Sequence, residues 1–180
     1  MQRLIVVYNP RSSRFADVKR EVLERVKELN GYMVGKYEVL PTNIDDNIAK
    51  LGAVLKSGDV VLAAGGDATG VICANAILAS EKDVTLAVLP YGNFNDLART
   101  LGTKTFEDIF EINNQIGAGS SSGSRDVRVS GGSYRKLYPL EIIVDGKLWR
   151  YATCYVTIGM MADAVKLYDT PKVRKILKSN

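Results

Sequence analysis

Apolar and polar positions change their spacing several times along the first two thirds of the chain. Short runs rich in Val, Leu, Ile and Ala predict buried strands at residues 4–8, 37–40, 60–64 and 84–89. Around these runs, apolar residues recur at helical spacing, which predicts helices over residues 17–29, 44–55, 71–78 and 97–101. This alternation predicts an α/β fold in which helices cover both faces of a parallel sheet.

Polar residues mark where several of these helices begin and end. Residues 42–45 and 105–108 each have the form of a capping box, and the second box predicts a short helix that ends near Ile112. Gly31 is placed to stop the first helix. Asp96 stands just before the helix at 97–101, where we expect it either to cap that helix or to contact a ligand directly.

The pattern changes after residue 116. Residues 117–125 are rich in glycine and serine, which predicts a linker or exposed loop, natural or engineered, between domains at 1–116 and 126–180. Strands are predicted beyond it at 127–129, 140–144 and 148–157, with Asp145 and Gly146 forming a hairpin turn. The second domain is therefore predicted to be short, antiparallel, β-rich and incomplete.

The composition is that of an ordinary globular protein, with 46% apolar and 24% charged residues. No apolar run approaches the roughly 18 residues of a membrane span, so the expected location is the cytoplasm. The absence of histidine excludes a Ser-His-Asp triad and zinc held by imidazole. Cys73 and Cys154 lie in a predicted helix and a predicted strand, so both are expected to be buried thiols.

The formal charge of +4 is concentrated near the end of the chain, where residues 163–180 contain five lysine and arginine residues and two aspartates. A helix predicted after Pro171 has an apolar face flanked by basic residues over 171–178. This pattern is typical of a solvated helix face, and it also suits peripheral contact with an anionic membrane. Nucleic acid is not an expected partner, because basic residues with interleaved aromatics are lacking elsewhere. The sequence does not decide whether the chain forms a homodimer.

Three polar turns follow three strands of the predicted sheet, at residues 9–13, 65–70 and 90–96. Ligands of a parallel sheet collect at the carboxyl ends of its strands, so we expect the three turns to form one site. Gly65 and Gly66 permit a close approach of the main chain, and the helix that follows points its N-terminal amides at the site. A lone Gly-Gly-Asp turn is more often a simple connection, whereas the three turns together favour an anion site.

Together the three turns resemble the NPxSG, GGDGT and PxGTxNDFAR motifs of the diacylglycerol kinase catalytic domain, a family that includes bacterial lipid kinases and the sphingosine and ceramide kinases. The resemblance covers residues 1–112, and residues 126–127 and 157–162 resemble the start of that family's β-rich second domain. It implies ATP-dependent phosphorylation of a lipid hydroxyl, with ATP in the cleft between two domains and Mg²⁺ on its phosphates.

The resemblance also implies roles for individual positions. The residues expected to bind ATP are Asn9, Ser12, Gly65, Gly66, Asp67, Ala68, Thr69, Gly92, Asn93, Asn95 and Asp96. Asp67 and Asp96 are the candidates for holding Mg²⁺ and for a catalytic role, because magnesium prefers carboxylate oxygens. Arg99 is expected to form a local salt bridge, with a phosphate contact as the alternative.

The chain departs from the family motifs at several positions. These are Ser13, Ala68, Asn93 and Phe94 in the three turns, and Met161 where the family often has an aspartate. A counterpart of the family's late aspartate, the expected general base, is not found in the sequence. The departures favour, as an alternative, a degenerate or truncated member that binds nucleotide or lipid without turnover. A NAD-kinase-like enzyme is a further alternative because it shares the GGDG turn, although residues 90–96 fit it poorly.

Overall fold

The computed structural model describes residues 2–29, 31–113, 127–130, 135–154, 156 and 170. Its strands are β1 (Gln2–Tyr8), β2 (Tyr32–Glu38), β3 (Val60–Gly65), β4 (Thr85–Pro90), β5 (Val127–Ser130), β6 (Arg135–Leu137), β7 (Leu140–Val144) and β8 (Lys147–Ala152). The first six form one sheet in the order β2-β1-β3-β4-β5-β6, while β7 and β8 form a separate antiparallel pair. All neighbours from β2 to β5 are parallel, which confirms the predicted fold class.

The helices connect these strands in the predicted alternation. A first helical segment consists of α1 (Phe15–Val18), a π-helical turn (Lys19–Leu23) and a 3-10 turn (Arg25–Glu28). The others are α2 (Ile44–Val54), α3 (Asp67–Ser80), α4 (Asp96–Leu101) and α5 (Phe106–Asn113). Val18, Val22 and Val26 are buried, so the predicted apolar face of the first segment is confirmed although its helix is irregular.

The central strands are covered on both faces, and this explains their continuous apolar sequence. Val61, Ala63 and Leu86 point to one face and pack in a core with residues of α2, α3 and α4. Leu62 and Leu89 point to the other face and pack with the first helical segment and α5. Successive residues of a strand point in opposite directions, so a doubly covered strand is apolar at every position.

Some predicted boundaries are wrong. β2 begins at Tyr32 rather than at residue 37, because this edge strand is only partly covered and its inward residues alternate with exposed ones. Asn43 rather than Thr42 caps α2, since its side chain accepts a hydrogen bond from the Asp46 amide at 2.7 Å. The capping box at residues 105–108 is confirmed: the Asp108 amide donates to the Thr105 hydroxyl, and the Asp108 carboxylate accepts from the Thr105 amide.

The region after α5 differs in part from the prediction. β5 extends the main sheet in parallel with β4, whereas the sequence pattern placed this strand in an antiparallel second part. The hairpin of β7 and β8 is confirmed, and its turn residues Asp145 and Gly146 have φ angles of 50° and 74°, as a tight hairpin requires. The predictions for residues 117–125, Met161 and residues 171–178 lie outside the described residues.

Among the residues that the structure describes, no helix combines the length and apolar character needed to cross a bilayer.

Candidate functional site

The three polar turns lie side by side at one edge of the sheet, as the sequence predicts. They follow β1, β3 and β4, which are neighbours in the sheet and run in the same direction. The chain leaves β1 to form β2 on one side and later forms β3 on the other side. Such a switch in strand order opens a crevice at the carboxyl ends of the strands, where open α/β sheets bind their ligands.

The first turn is closed by its own polar groups. The side chain of Asn9 accepts a hydrogen bond from the Arg11 amide at 3.0 Å, and the main-chain oxygen of Asn9 accepts one from the Ser12 amide at 3.0 Å. Arg14, which sequence reasoning did not single out, reaches from this turn to the third and donates to the Pro90 carbonyl at 3.3 Å. The turn that carries Asn9 and Ser12 is thereby joined to the end of β4.

The glycines of the second and third turns are needed because the two main chains touch. A Cβ on Gly92 would lie 2.4 Å from the Gly66 Cα, and a Cβ on Gly66 would lie 3.0 Å from the Gly92 Cα. Neither residue has a positive φ angle. A Cβ on Gly65 would lie 2.4 Å from the Thr69 hydroxyl, so the buried Thr69 side chain packs on the Gly65 main chain. Close approach, not unusual backbone conformation, therefore accounts for these glycines.

Asp67 links the same two turns through its side chain. Its Oδ1 atom accepts a hydrogen bond from the Leu97 amide at 3.0 Å, in the first turn of α4. Four amides at the start of a helix lack partners within the helix, and Asp67 satisfies one of them from a different strand–helix unit. The carboxylate is thus held in place while Asp67 still lines a cleft.

Asn95 rather than Asp96 is the N-cap residue of α4, so the predicted capping role of Asp96 is wrong. Asn95 has a left-handed conformation with φ of 55°, and its side chain both accepts from the Gly92 amide at 2.6 Å and donates to the Gly92 carbonyl at 2.8 Å. Asp96 begins the helix and forms a salt bridge of 2.9 Å with Arg99, which confirms the local ion pair predicted for Arg99.

A cleft of about 320 Å³ lies between the second and third turns, with the helices that follow them, and the β7–β8 hairpin. Its first wall contains Asp67, Ala68, Val71, Asp96 and Leu97. The facing wall contains Ile142, Trp149, Arg150, Tyr151, Ala152, Thr153, Cys154 and Val156. The cleft thus brings together Asp67, Ala68 and Asp96 of the predicted ATP-binding residues. The others are Asn9, Ser12, Gly65, Gly66, Thr69, Gly92, Asn93 and Asn95, and they do not line it.

The residues that depart from the family motifs leave the turns intact. Ser13, Ala68, Asn93 and Phe94 are all exposed. Ala68 lies in the first turn of α3 without a positive φ angle, so the backbone at this position does not require glycine. Its methyl group is part of the cleft wall.

Cys154 lies in the cleft, and the prediction that it is buried in a strand is wrong. It follows the end of β8 and is exposed. Partial enclosure raises the pKa of the Cys154 thiol above its ordinary value, and the negative charges of Asp67 and Asp96 raise it further. Cys73 is fully buried in α3, as predicted.

The hairpin wall is tied to the sheet domain by contacts that sequence reasoning missed. The buried side chain of Asn75 in α3 binds the main chain of Tyr151 in β8, accepting from its amide at 2.8 Å and donating to its carbonyl at 3.0 Å. The available signal was a single amide side chain within the apolar run of residues 71–78. The partner strand of that amide lies 76 residues away, beyond the reach of local patterns.

Comparison with known proteins identifies one family. The family model for the diacylglycerol kinase catalytic domain matches residues 3–127. A diacylglycerol kinase of Bacillus subtilis (strain 168) is 30% identical over 158 residues, which cover 82% of this chain and 50% of that protein. A diacylglycerol kinase of Staphylococcus aureus (strain MRSA252) is 28% identical over 146 residues, covering 72% of this chain and 46% of that protein.

The chain spans about half the length of these curated relatives. A solved structure of a diacylglycerol kinase from Bacillus anthracis str. Sterne superposes on 56% of this chain and 36% of its own, with 24% identity and a TM-score of 0.45. The family match rests on the sequence comparisons.

Proposed function

Because this chain belongs to the diacylglycerol kinase catalytic domain family, we propose that it transfers a phosphoryl group from ATP to a lipid hydroxyl such as that of diacylglycerol. The observation that carries the proposal is the cleft where Asp67 and Asp96 come together at the ends of β3 and β4. The facing wall includes the apolar side chains of Ile142, Trp149 and Val156. In this proposal the carboxylates hold Mg²⁺ and through it the phosphates of ATP, and the apolar side chains face the lipid.

The phosphates are proposed to lie at the first turn of α3. Amides at the start of a helix have no partner within the helix, and the helix dipole favours negative charge at this end. The contact between Gly66 and Gly92 and the hydrogen bond from Leu97 to Asp67 hold the second and third turns together. The donors are therefore in place before a ligand arrives, which lowers the cost of reorganisation during transfer.

The donor set of the cleft fits Mg²⁺. Asp67 and Asp96 supply carboxylate oxygens, and Mg²⁺ is usually held by one or two carboxylates together with substrate phosphates. Within the described part of the chain, no group of three or more acidic, cysteine or histidine side chains is arranged to hold a metal. When bound, Mg²⁺ would neutralise charge on the transferring phosphoryl group. The Leu97 amide would keep the Asp67 carboxylate oriented toward it.

A second candidate function is binding of nucleotide without transfer. Both carboxylates of the cleft already have partners in the protein, since Asp67 accepts from the Leu97 amide and Asp96 pairs with Arg99. This arrangement favours orienting phosphates over removing a proton from an acceptor hydroxyl. In-line phosphoryl transfer depends mainly on positioning and electrostatic stabilisation, so the two functions differ in only one step.

Incubation with radiolabelled ATP, Mg²⁺ and a panel of diacylglycerol, sphingoid and undecaprenol acceptors separates these functions. The proposal predicts a labelled lipid product from at least one acceptor. If no lipid is labelled but ATP raises the Tm, the chain binds nucleotide without turnover. If ATP and ADP neither raise the Tm nor label a lipid, both candidate functions are contradicted.

The Asp67→Asn variant tests the proposed role of the carboxylate. Asparagine keeps an oxygen that accepts from the Leu97 amide, so we expect a Tm close to that of the unaltered protein. Loss of the charge should weaken Mg²⁺-dependent ATP binding, measured by titration calorimetry, by at least the roughly tenfold that loss of an outer-sphere metal contact costs. Asp83→Asn is the matched control, because Asp83 is exposed and precedes β4 at the opposite edge of the sheet. Equal affinities of the two variants would exclude Asp67 from the site.

A further inference from the structure

The side chain of Asn75 bridges the two walls of the cleft. Asn75 is only 3% exposed and belongs to α3, the helix whose first residue is Asp67. Its Oδ1 atom accepts from the Tyr151 amide at 2.8 Å, and its Nδ2 atom donates to the Tyr151 carbonyl at 3.0 Å and to the Val71 carbonyl at 2.9 Å. The amide thus pairs with β8 in the way that a neighbouring strand would.

The position of Asn75 in the helix links this contact to the proposed site. Asp67 and Asn75 are eight positions apart in one continuous helix, a rise of about 12 Å at 1.5 Å per residue. An intact helix keeps this separation fixed. The location of the Tyr151 main chain, and with it the facing wall of the cleft, is therefore set relative to the Asp67 carboxylate.

A second and weaker tie lies beside the first. Arg150 forms a salt bridge of 2.6 Å with Asp45 at the start of α2, and its guanidinium lies 4.7 Å from the centre of the Trp149 ring. Asp45 is 64% exposed, so solvent screens this ion pair and its contribution is small. The buried amide contact of Asn75 is the stronger of the two, because a buried polar group left without a partner is costly.

We propose that Asn75 is a positioning residue that fixes the width of the cleft by holding β8 against α3. It contacts neither the proposed phosphates nor the metal ion, and it acts through the Tyr151 main chain. The structural part of this inference stands on the contacts alone. Its catalytic consequence rests on the proposed kinase function, so the two parts are tested by separate measurements.

The chain contains a matched control. Asn47, 1% exposed, makes the same kind of contact with the main chain of one residue: it accepts from the Leu40 amide at 2.8 Å and donates to the Leu40 carbonyl at 3.3 Å. The hydrogen-bond partners of its side chain lie between residues 40 and 43, and its main-chain carbonyl accepts from the Tyr37 hydroxyl. Asn47→Ala therefore removes the same pair of main-chain hydrogen bonds, and two more to Thr42 and Asn43, from a buried site in α2.

Amide hydrogen exchange, followed by mass spectrometry, compares Asn75→Ala with Asn47→Ala. In Asn75→Ala, the segment 147–152 should exchange at least about fivefold faster, because loss of a single buried hydrogen bond has about that effect on local opening and this variant loses two to Tyr151. In Asn47→Ala the acceleration should appear around Leu40 and be absent from 147–152. Equal acceleration of 147–152 in both variants, or in neither, would overturn the proposal.

Two further measurements complete the test. Asp45→Ala changes an exposed residue and will fold even if Asn75→Ala does not. Because solvent screens this ion pair, the variant should accelerate exchange at 147–152 by a smaller factor than loss of the Asn75 contact, and an acceleration of about fivefold or more would show that the ion pair rather than Asn75 holds the hairpin. If the unaltered protein phosphorylates a lipid, Asn75→Ala should lower kcat/KM for that lipid more than Asn47→Ala does at equal Tm. Equal losses of kcat/KM in the two variants would show that Asn75 stabilises the fold without positioning the cleft for catalysis. If the unaltered protein shows no transfer, the proposed function fails and the exchange result still decides the positioning role.

Discussion

Gly66 and Gly92 follow different strands of the sheet, and their main chains meet without space for a side chain on either. Next to this contact, the Asp67 carboxylate accepts a hydrogen bond from the first turn of α4. Each of these residues thus has a structural task that is separate from the ligand-binding role implied by the family. The same contacts place Asp67 and Asp96 in one cleft. The residues that stabilise the fold here therefore also position the two carboxylates for their proposed role.

Gly92→Ala should be strongly destabilising. A Cβ at this position would lie 2.4 Å from the Gly66 Cα and 2.9 Å from the Asn95 side-chain oxygen, so the two turns must separate. We expect a loss of about 1–3 kcal/mol in the free energy of unfolding, the usual cost of overpacking. Gly35→Ala in β2 is the control, because its nearest neighbour would be in ordinary contact at 3.9 Å. Urea unfolding that gives equal stabilities for the two variants would contradict the close contact.

The thiol of Cys154 should report the charge in the cleft. Its pKa is raised, first by enclosure and then by Asp67 and Asp96, so the reactive thiolate forms at higher pH than in an ordinary cysteine. In metal-free buffer, Asp96→Asn should lower the midpoint of the pH dependence of alkylation by iodoacetamide and raise the rate below that midpoint. Mass spectrometry of the Cys154 peptide over a pH series measures both. An unchanged midpoint would mean that the Asp96 charge does not reach the thiol.

At the scale of elements, the site depends on how strand–turn–helix units fit together. α3 and α4 begin at the ends of neighbouring parallel strands. Asp67 at the start of α3 contacts the start of α4, while Asn75 farther along α3 contacts β8. One helix therefore contacts both walls of the cleft: its first residue, Asp67, holds the start of α4, and Asn75, about two helical turns farther along, holds the hairpin. A displacement of α3 would change both walls of the cleft together.

The third turn should be sensitive to the conformation of Asn95 as well as to its side chain. Asn95→Ala loses two hydrogen bonds to Gly92, and alanine must then keep a φ angle of 55°, which it adopts less readily than asparagine. We therefore expect a loss of about 2 kcal/mol in the free energy of unfolding. Asn95→Gly loses the same hydrogen bonds but tolerates the left-handed conformation. Thermal unfolding should therefore rank glycine above alanine. The reverse order would show that the left-handed conformation is not important for stability.

The sequence predicted those features that depend on neighbouring residues. The doubly covered strands, the capping box at residues 105–108 and the tight turn at Asp145 and Gly146 all follow from local patterns, and all are confirmed. Predictions failed where burial or pairing depends on distant segments. β2 is an edge strand with a mixed pattern, and Cys154 lies just beyond the end of β8 and is exposed.

Within the site, the sequence predicted the three turns but not what joins them. The contact of Gly66 with Gly92 and the hydrogen bond from Leu97 to Asp67 span about 30 residues and require the strand order to be known. The contact of Asn75 with Tyr151 spans 76 residues and joins a helix to a hairpin. In the sequence, such a long-range contact is marked at most by a single polar residue within an apolar run, as Asn75 is within residues 71–78.

In the molecule as a whole, the first residues of α3 and α4 supply the carboxylates of the cleft, and the β7–β8 hairpin supplies apolar side chains on its facing wall. The structure therefore already contains two sides of the proposed site, although the chain spans about half the length of its curated relatives. The family match covers residues 3–127, whereas the facing wall lies at residues 142–156. Both parts of the chain therefore line the cleft.

If the cleft beside Asp67 and Asp96 binds ATP with Mg²⁺, as we propose, bound ATP should protect Cys154 from alkylation. Cys154 lines this cleft, while Cys73 is fully buried and will not react in the folded protein. The rate of Cys154 alkylation is measured by mass spectrometry at increasing concentrations of ATP with Mg²⁺. We expect the alkylation rate to fall as ATP fills the site, and the ATP concentration that halves the rate to be higher in Asp67→Asn. A rate that stays constant while ATP raises the Tm would place the nucleotide elsewhere and contradict the claim.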